Sequence, residues 1–164
     1  MCRILNSILA VTAAGGLSGA ALSSYRSPSI EGVWQAVEVT TTGPGARTIR
    51  PVAPNLSIIT AKHYSHIEIH SDAPRPVLTD MAKASADELR QVWGPFMAEA
   101  GNYDLVRGVF TTHAVVAKNP VTMTKESFTS YSYRLAGDTL WLTTQRTERG
   151  QSPNPSTIKL VRVE

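Results

Sequence analysis

One segment of the sequence carries three chemically active side chains at alternating positions. His66, Glu68 and His70 are each separated by one residue, and alternate residues of a β-strand share a face at about 6.5–7 Å spacing. Imidazole and carboxylate groups bind zinc or iron and also transfer protons. His66 and His70 would lie about 13 Å apart, too far for one ion with bonds near 2 Å. A metal would therefore need Glu68 with one of them and a third ligand, for which His113 is the candidate.

The segment allows three interpretations of which face is buried. The favoured one places Ser65, Ile67 and Ile69 in the core, so that the His/Glu face meets water. In the second interpretation the polar face lines a cavity, and in the third it holds a metal ion. The sequence predicts no metal site and no cofactor.

Acid–base catalysis is the alternative that would make the protein an enzyme. His113 or His66 beside Glu68 could isomerise, cyclise, hydrate or hydrolyse an apolar substrate. No serine lies in a Gly-x-Ser-x-Gly elbow, and no Walker or Rossmann glycine pattern occurs. The only cysteine is Cys2, which lies in the N-terminal segment described below. Whether a reaction is catalysed stays open.

The elements that would position these residues are mostly strands. Apolar and β-branched runs bounded by turn residues predict strands over 30–41, 55–61, 63–70, 103–107, 109–118, 126–135, 139–145 and 157–163. A helix is predicted after Ser85, with Glu88 completing a capping box and Leu89, Val92, Trp93 and Phe96 on its apolar face. Pro95 should end or kink this helix near Trp93.

The pattern predicts an all-β domain, an eight-stranded antiparallel up-and-down barrel with one helix between strands three and four. A β-sandwich is the alternative that periodicity alone does not exclude. An eight-stranded barrel can hold one small ligand, whereas bulky side chains meeting at its centre would leave a purely structural module.

Residues 1–24 have the features of a signal peptide. Arg3 precedes an uncharged apolar stretch over 4–22, and Ala21-Leu22-Ser23 fits a cleavage site. The expected organisation is a signal peptide over 1–24 and a barrel domain over 25–164, in the periplasm or secreted. The alternative is an uncleaved membrane anchor. After removal of the signal peptide, no stable membrane insertion is expected.

Composition limits the range of partners. The 164 residues suit one domain, and a mature chain without cysteine has no disulfide. The net charge of +3 is mild and no run of Lys or Arg forms a stripe, so nucleic-acid binding is not expected. The expected state is a monomer or a weak dimer.

Several short motifs are spread along the chain from residue 30 onward. Gly32-Val33-Trp34 resembles the Gly-x-Trp signature of the first lipocalin strand, and Lys159-Leu160-Val161-Arg162 resembles the last strand. Other resembling stretches are Lys62-His63-Tyr64-Ser65, Pro74-Arg75-Pro76, Trp93-Gly94-Pro95-Phe96, Ala100-Gly101-Asn102-Tyr103, Ala117-Lys118-Asn119-Pro120 and Asp138-Thr139-Leu140-Trp141-Leu142. Together they span residues 30–164 and resemble the bacterial lipocalin-like domain family.

The resemblance implies an eight-stranded barrel with a cavity for a small hydrophobic molecule, and it implies no enzyme mechanism. It also implies that Arg162 packs over Trp34 in a structural cation–π contact. The side chains expected to contact the ligand are Tyr64, His66, Glu68, His113, Tyr131 and Trp141. The expected function is binding of that molecule in the barrel interior.

Overall fold

The computed structural model describes residues 29–71 and 73–164, which form mainly β-strands. The predicted signal peptide, residues 1–24, lies outside the described residues. The strands are β1 (Gly32–Thr41), β2 (Arg47–Ile49), β3 (Asn55–Ile59), β4 (His63–Ile69), β5 (Phe96–Val106), β6 (Val109–Ala117), β7 (Thr129–Ala136), β8 (Thr139–Thr147), β9 (Gly150–Gln151) and β10 (Ser156–Arg162). One α-helix, α1 (Ala86–Trp93), lies between β4 and β5, and two 3-10 helices cover Met81–Lys83 and Pro120–Met123.

Eight of the strands close into an antiparallel barrel. Neighbouring strands follow the order β10-β1-β3-β4-β5-β6-β7-β8, and β10 also pairs with β8. The sheet therefore closes on itself, and the pairing of β10 with β8 leaves neither strand with a free edge. The short strands β2 and β9 extend the sheet beside β1 and β8. The predicted closed eight-stranded barrel is confirmed, and the sandwich alternative is excluded.

The apolar core fills one end of the barrel, which we call the closed end. Antiparallel neighbours bring the start of β1, the end of β3 and the end of β10 to the same level. The buried apolar side chains near this end are Ile30, Trp34, Ile59, Tyr64, Phe110, Leu140 and Leu160. At the other end, the open end, the inward-facing Thr41, Glu68 and Ser156 are only half-buried.

A tryptophan and an arginine join β1 to β10 at the closed end. Trp34 pairs with Arg162 in the strand register, and the Arg162 guanidinium carbon lies 4.1 Å from the centroid of the Trp34 ring. The same guanidinium donates hydrogen bonds to the backbone carbonyls of Ser29 and Glu31. Gly32 (φ 146°) leaves room for this arrangement, because a Cβ there would overlap the guanidinium. The contact is therefore both a cation–π interaction and a set of charged hydrogen bonds.

Helix α1 begins as predicted and ends before its apolar pattern does. The Ser85 hydroxyl accepts from the Glu88 backbone N–H, and the Glu88 carboxylate accepts from the Ser85 backbone N–H, which confirms the capping box. Phe96 was expected on the helix face, but it begins β5, because Pro95 cannot continue the helix. The predicted strand 103–107 is correspondingly too short at its N-terminal end. The missed part contains Ala, Glu, Gly and Asn at residues 98–102, all of which have low strand propensity.

The predicted hairpin is present in the structure, whereas several short elements of the structure were not predicted. The hairpin at Gly137-Asp138 is confirmed, since Ala136 pairs with Thr139 and Gly137 has a φ of 54°. The short strands β2 and β9 and both 3-10 helices were not predicted, because segments of two to four residues carry no periodicity. Within the ranges 29–71 and 73–164, no helix combines the length and apolarity needed to cross a membrane.

Replacing Arg162 should weaken the seam between β1 and β10. We expect Arg162→Ala to lower the free energy of unfolding by about 2–4 kcal/mol, since a cation–π contact and charged hydrogen bonds are lost. Urea unfolding followed by tryptophan fluorescence measures the change. Lys159→Ala on the same strand is the control and should change stability by less than about 0.5 kcal/mol. Equal effects of the two substitutions would contradict the structural role of Arg162.

Candidate functional site

The polar residues of β4 face the barrel interior, opposite to the favoured sequence interpretation. Tyr64 is 6% exposed, whereas Ile67 is 43% exposed. Because alternate residues share a face, His66 and Glu68 point inward with Tyr64, and Ser65 and Ile67 point outward. The prediction that Ser65, Ile67 and Ile69 form the core face is therefore wrong.

An apolar groove on the outer wall explains why the pattern misled. The outward side chains of β4 to β6 adjoin the end of α1 and enclose a groove of about 410 Å³. Its lining includes Ser65, Ile67, Trp93, Phe96, Ala98, Ala100, Val116 and Lys118. The Lys118 ammonium donates to the backbone carbonyls of Trp93, Gly94 and Phe96 and thereby ties the end of α1 to the wall. The outward side chains Ser65 and Ile67 of β4 thus line this groove instead of the core.

Inside the barrel, a hydrogen-bonded chain connects β3 to β4. Ser57 pairs with His66 across the two strands, and the Ser57 Oγ lies 2.8 Å from the His66 Nδ1. The other ring nitrogen, Nε2, lies 3.3 Å from a carboxylate oxygen of Glu68. The second oxygen of Glu68 contacts the His70 Nε2 at the open end. Four polar side chains are therefore linked in series along the inner wall.

The carboxylate of Glu68 is held in its ionised form. Burial would by itself raise its pKa, but hydrogen bonds and charge from His66, together with those of His70, outweigh burial and lower the pKa below its ordinary value of 4.5. An ionised carboxylate accepts hydrogen bonds and cannot donate them. The Glu68 carboxylate therefore accepts hydrogen bonds from the N–H groups of both imidazoles.

Two tyrosines and a second glutamate complete the interior cluster. The Tyr64 hydroxyl donates to a carboxylate oxygen of Glu99 at 3.1 Å, and Glu99 lies opposite His66 in the strand register. Burial, followed by the charge of Glu99, raises the pKa of Tyr64 well above its usual range. Burial, followed by the charge of Glu99, also raises the pKa of Tyr131 to about 12. Both phenols stay protonated at neutral pH and can donate hydrogen bonds.

Two of the predicted ligand contacts lie on the outer face instead. His113 is 45% exposed and its Nε2 lies 3.6 Å from an Asp104 carboxylate oxygen, since the neighbouring Thr112 takes the inward position. Trp141 alternates with the buried Leu140 and lies under the guanidinium of Arg134, 3.4 Å from its ring centroid. The structure therefore does not bring His113 or Trp141 to the cluster of Tyr64, His66, Glu68 and Tyr131.

Two members of the cluster escaped sequence reasoning. Ser57 and Glu99 lie on β3 and β5, on either side of β4. Their only sequence signal is alternation with apolar or small neighbours, which does not show which residue they face. Strand register supplies that information. In the portion of the chain that the structure covers, no three His, Cys, Asp or Glu side chains are arranged to hold a metal ion.

Apolar side chains of β7, β8 and β10 lie on the inner wall opposite the cluster. Tyr131, Tyr133, Leu142 and Ile158 pack partly buried against the core, and the strand register places Tyr133 beside Leu142 and Leu142 beside Ile158. Towards the closed end, the Phe110 ring lies 5.0 Å from that of Tyr103 and 6.2 Å from that of Tyr131. These rings belong to the apolar core or pack against it, as the partly buried Tyr133, Leu142 and Ile158 do.

Comparison with known proteins adds no family to this description. The sequence matches no protein-family model, and a search of curated proteins finds no match. The architecture and the site define the class: a closed, eight-stranded antiparallel β-barrel. One inner wall of this barrel carries a hydrogen-bonded cluster of Ser, His, Glu and Tyr side chains, and the opposite wall carries the apolar side chains Leu142 and Ile158 with Thr41 and Ser156 at its open end.

The lowered pKa of Glu68 predicts a contribution to stability that depends on pH. Because the folded-state pKa lies below that of the unfolded chain, ionised Glu68 stabilises the fold at neutral pH, and this stabilisation is lost as the pH falls below 4.5 through the folded-state pKa. Urea unfolding from about pH 7 down to about pH 3 should show a steeper loss for the natural chain than for Glu68→Gln. Exposed Glu126→Gln is the control and should keep the natural slope. An unchanged slope in Glu68→Gln would refute the ionised state.

Proposed function

We propose that this chain is an exported lipocalin-like protein that binds a small hydrophobic molecule in the open half of its barrel. The observation that carries the proposal is the asymmetry of the closed barrel. Trp34, Leu140 and Leu160 fill one end, whereas towards the other end the polar side chains of β3 to β5 and the apolar Leu142 and Ile158 are only partly buried. Such pairing of an apolar surface with a few placed polar groups is typical of small-molecule sites.

The two walls would contact different parts of the ligand. Leu142, Ile158 and Tyr133 offer apolar surface to its body, and burial of that body yields about 25 cal/mol per Å². His66 and Glu68 are 24% and 22% exposed at the side chain, so they remain accessible to a polar group of the ligand. Tyr64 and Tyr131 stay in the proposed site, and outward-facing His113 and Trp141 leave it.

The lipocalin-like assignment rests on several features together. Barrel closure, the placement of Arg162 over Trp34 and the glycine at position 32 agree with what the motif resemblance implies. An up-and-down arrangement with the helix between the third and fourth barrel strands is part of the proposal. Export to the periplasm or the exterior is supported by the sequence of residues 1–24. The proposed protein acts as a monomer or weak dimer without nucleic acid.

The second candidate function is acid–base chemistry on an apolar substrate. The hydrogen-bonded chain from Ser57 through His66 to Glu68 favours it, because an imidazole between a hydroxyl and a carboxylate can take up and return a proton. His113 has no part in this version, since it faces outward. Turnover distinguishes the two functions, because a carrier releases its ligand unchanged.

Filling the open half should prevent binding. Ile158→Trp adds bulk to an inward position between Val39 and Leu142, and we expect it to weaken binding of the neutral dye N-phenyl-1-naphthylamine at least about tenfold, or 1.4 kcal/mol. Lys159→Trp is the matched control, because it adds the same group to the outer face. Dye fluorescence measures affinity, and native mass spectrometry of the full chain from its own host identifies the natural ligand. Equal affinity in both variants would contradict an interior site.

A further inference from the structure

The charge of Glu68 determines which form of His66 is present. The ionised Glu68 carboxylate accepts a hydrogen bond from the N–H at Nε2 of His66, 3.3 Å away, so in the neutral ring Nδ1 carries the lone pair. Nδ1 then accepts the hydrogen bond of the Ser57 hydroxyl at 2.8 Å. The serine oxygen is therefore hydrogen-bonded to a base that a carboxylate orients. This is the arrangement that activates a serine nucleophile.

Simple satisfaction of a buried hydroxyl would require much less. Ser57 is 8% exposed, and one backbone carbonyl would suffice as its acceptor. Here the acceptor is an imidazole backed by a carboxylate, and holding an ionised carboxylate inside a barrel costs free energy unless it is paired. Ser57, His66 and Glu68 come from two adjacent strands of a rigid wall, which fixes their geometry.

We propose that Ser57 is a nucleophile, His66 its general base and Glu68 the residue that positions His66, in the hydrolysis of small apolar esters. The Ser57 Oγ forms a bond to the ester carbonyl carbon, and its proton passes to the His66 Nδ1. The bond from that carbon to the alcohol oxygen then breaks, and the alcohol leaves with this proton. Water attacks the acyl-serine, gives its proton to the same nitrogen, and the acid departs as Ser57 regains it.

The surrounding side chains define the substrate class. In this proposal an aliphatic or aromatic acyl group would contact the partly buried apolar side chains Tyr133, Leu142 and Ile158. Tyr131 projects into the same interior, where the charges of Glu99 and Glu68 act on it. It is a protonated phenol and can donate a hydrogen bond to the oxyanion that develops. The inference rests on the proposed function, because the ester must enter the same open half as the ligand.

A fluorophosphonate with a short alkyl chain tests the nucleophile, because it forms a stable bond to an activated serine much faster than to an ordinary hydroxyl group. In the full chain we expect one phosphonyl group per molecule, located at Ser57 by peptide mass spectrometry. Ser57→Ala should abolish labelling, and Glu68→Gln should slow it at least about tenfold, since the imidazole loses its orienting carboxylate. Ser65→Ala, which removes an outward serine of β4, is the matched control and should label at the natural rate.

Dye binding by Ser57→Ala separates the two proposals. If this variant binds the neutral dye but the natural chain takes no label at Ser57, the nucleophile is refuted and the carrier function stands. If the natural chain neither binds the dye nor labels, both are refuted. Labelling at an equal rate in Ser57→Ala would place the reaction on another residue and overturn the assignment. Urea unfolding of Ser57→Ala and Ser65→Ala confirms that both variants fold.

Discussion

The seam between β1 and β10 is the interaction on which the rest of the structure depends. It turns a sheet into a barrel, so that every inward side chain is enclosed and every long strand has two neighbours. Arg162 fixes this seam because it contacts the Trp34 ring and the chain that precedes β1 at the same time. Without closure, His66 and Glu68 would lie on an open sheet face, where water would compete for their hydrogen bonds.

Much of the fold could be predicted from the sequence, because strand runs and turn residues act locally. The eight barrel strands, the capping box at Ser85 and the hairpin at Gly137 follow from spacing and residue type. The start of β5 could not be predicted, since Phe96 falls within the helix pattern and residues 98–102 have low strand propensity. There the strand forms because β4 offers it a full set of partners, a tertiary effect that overrides propensity.

The site could be predicted only in part. The spacing of His66 and Glu68 identified two residues of one face, but alternation alone does not say which face is inside. The apolar Ile67 suggested that its face is the core face, but Ile67 points outward and lines an apolar groove on the outer wall. Ser57 and Glu99 belong to the cluster through strand register, which no local pattern contains. Buried polar side chains are tolerated in this interior because, among the described residues, each buried side-chain nitrogen or oxygen atom has a hydrogen-bond partner.

Closure by the first and the last long strand also has a kinetic consequence. Trp34 and Arg162 are far apart in sequence, so the chain loses most of its loop entropy before their contact rewards it. Barrels with such long-range pairing fold slowly compared with helical bundles. Until β10 docks, β1 and β8 each present unpaired backbone groups to other chains. The strand that makes the finished barrel free of edges therefore leaves the unfinished one with two, and folding is the stage at which this protein is most exposed to aggregation.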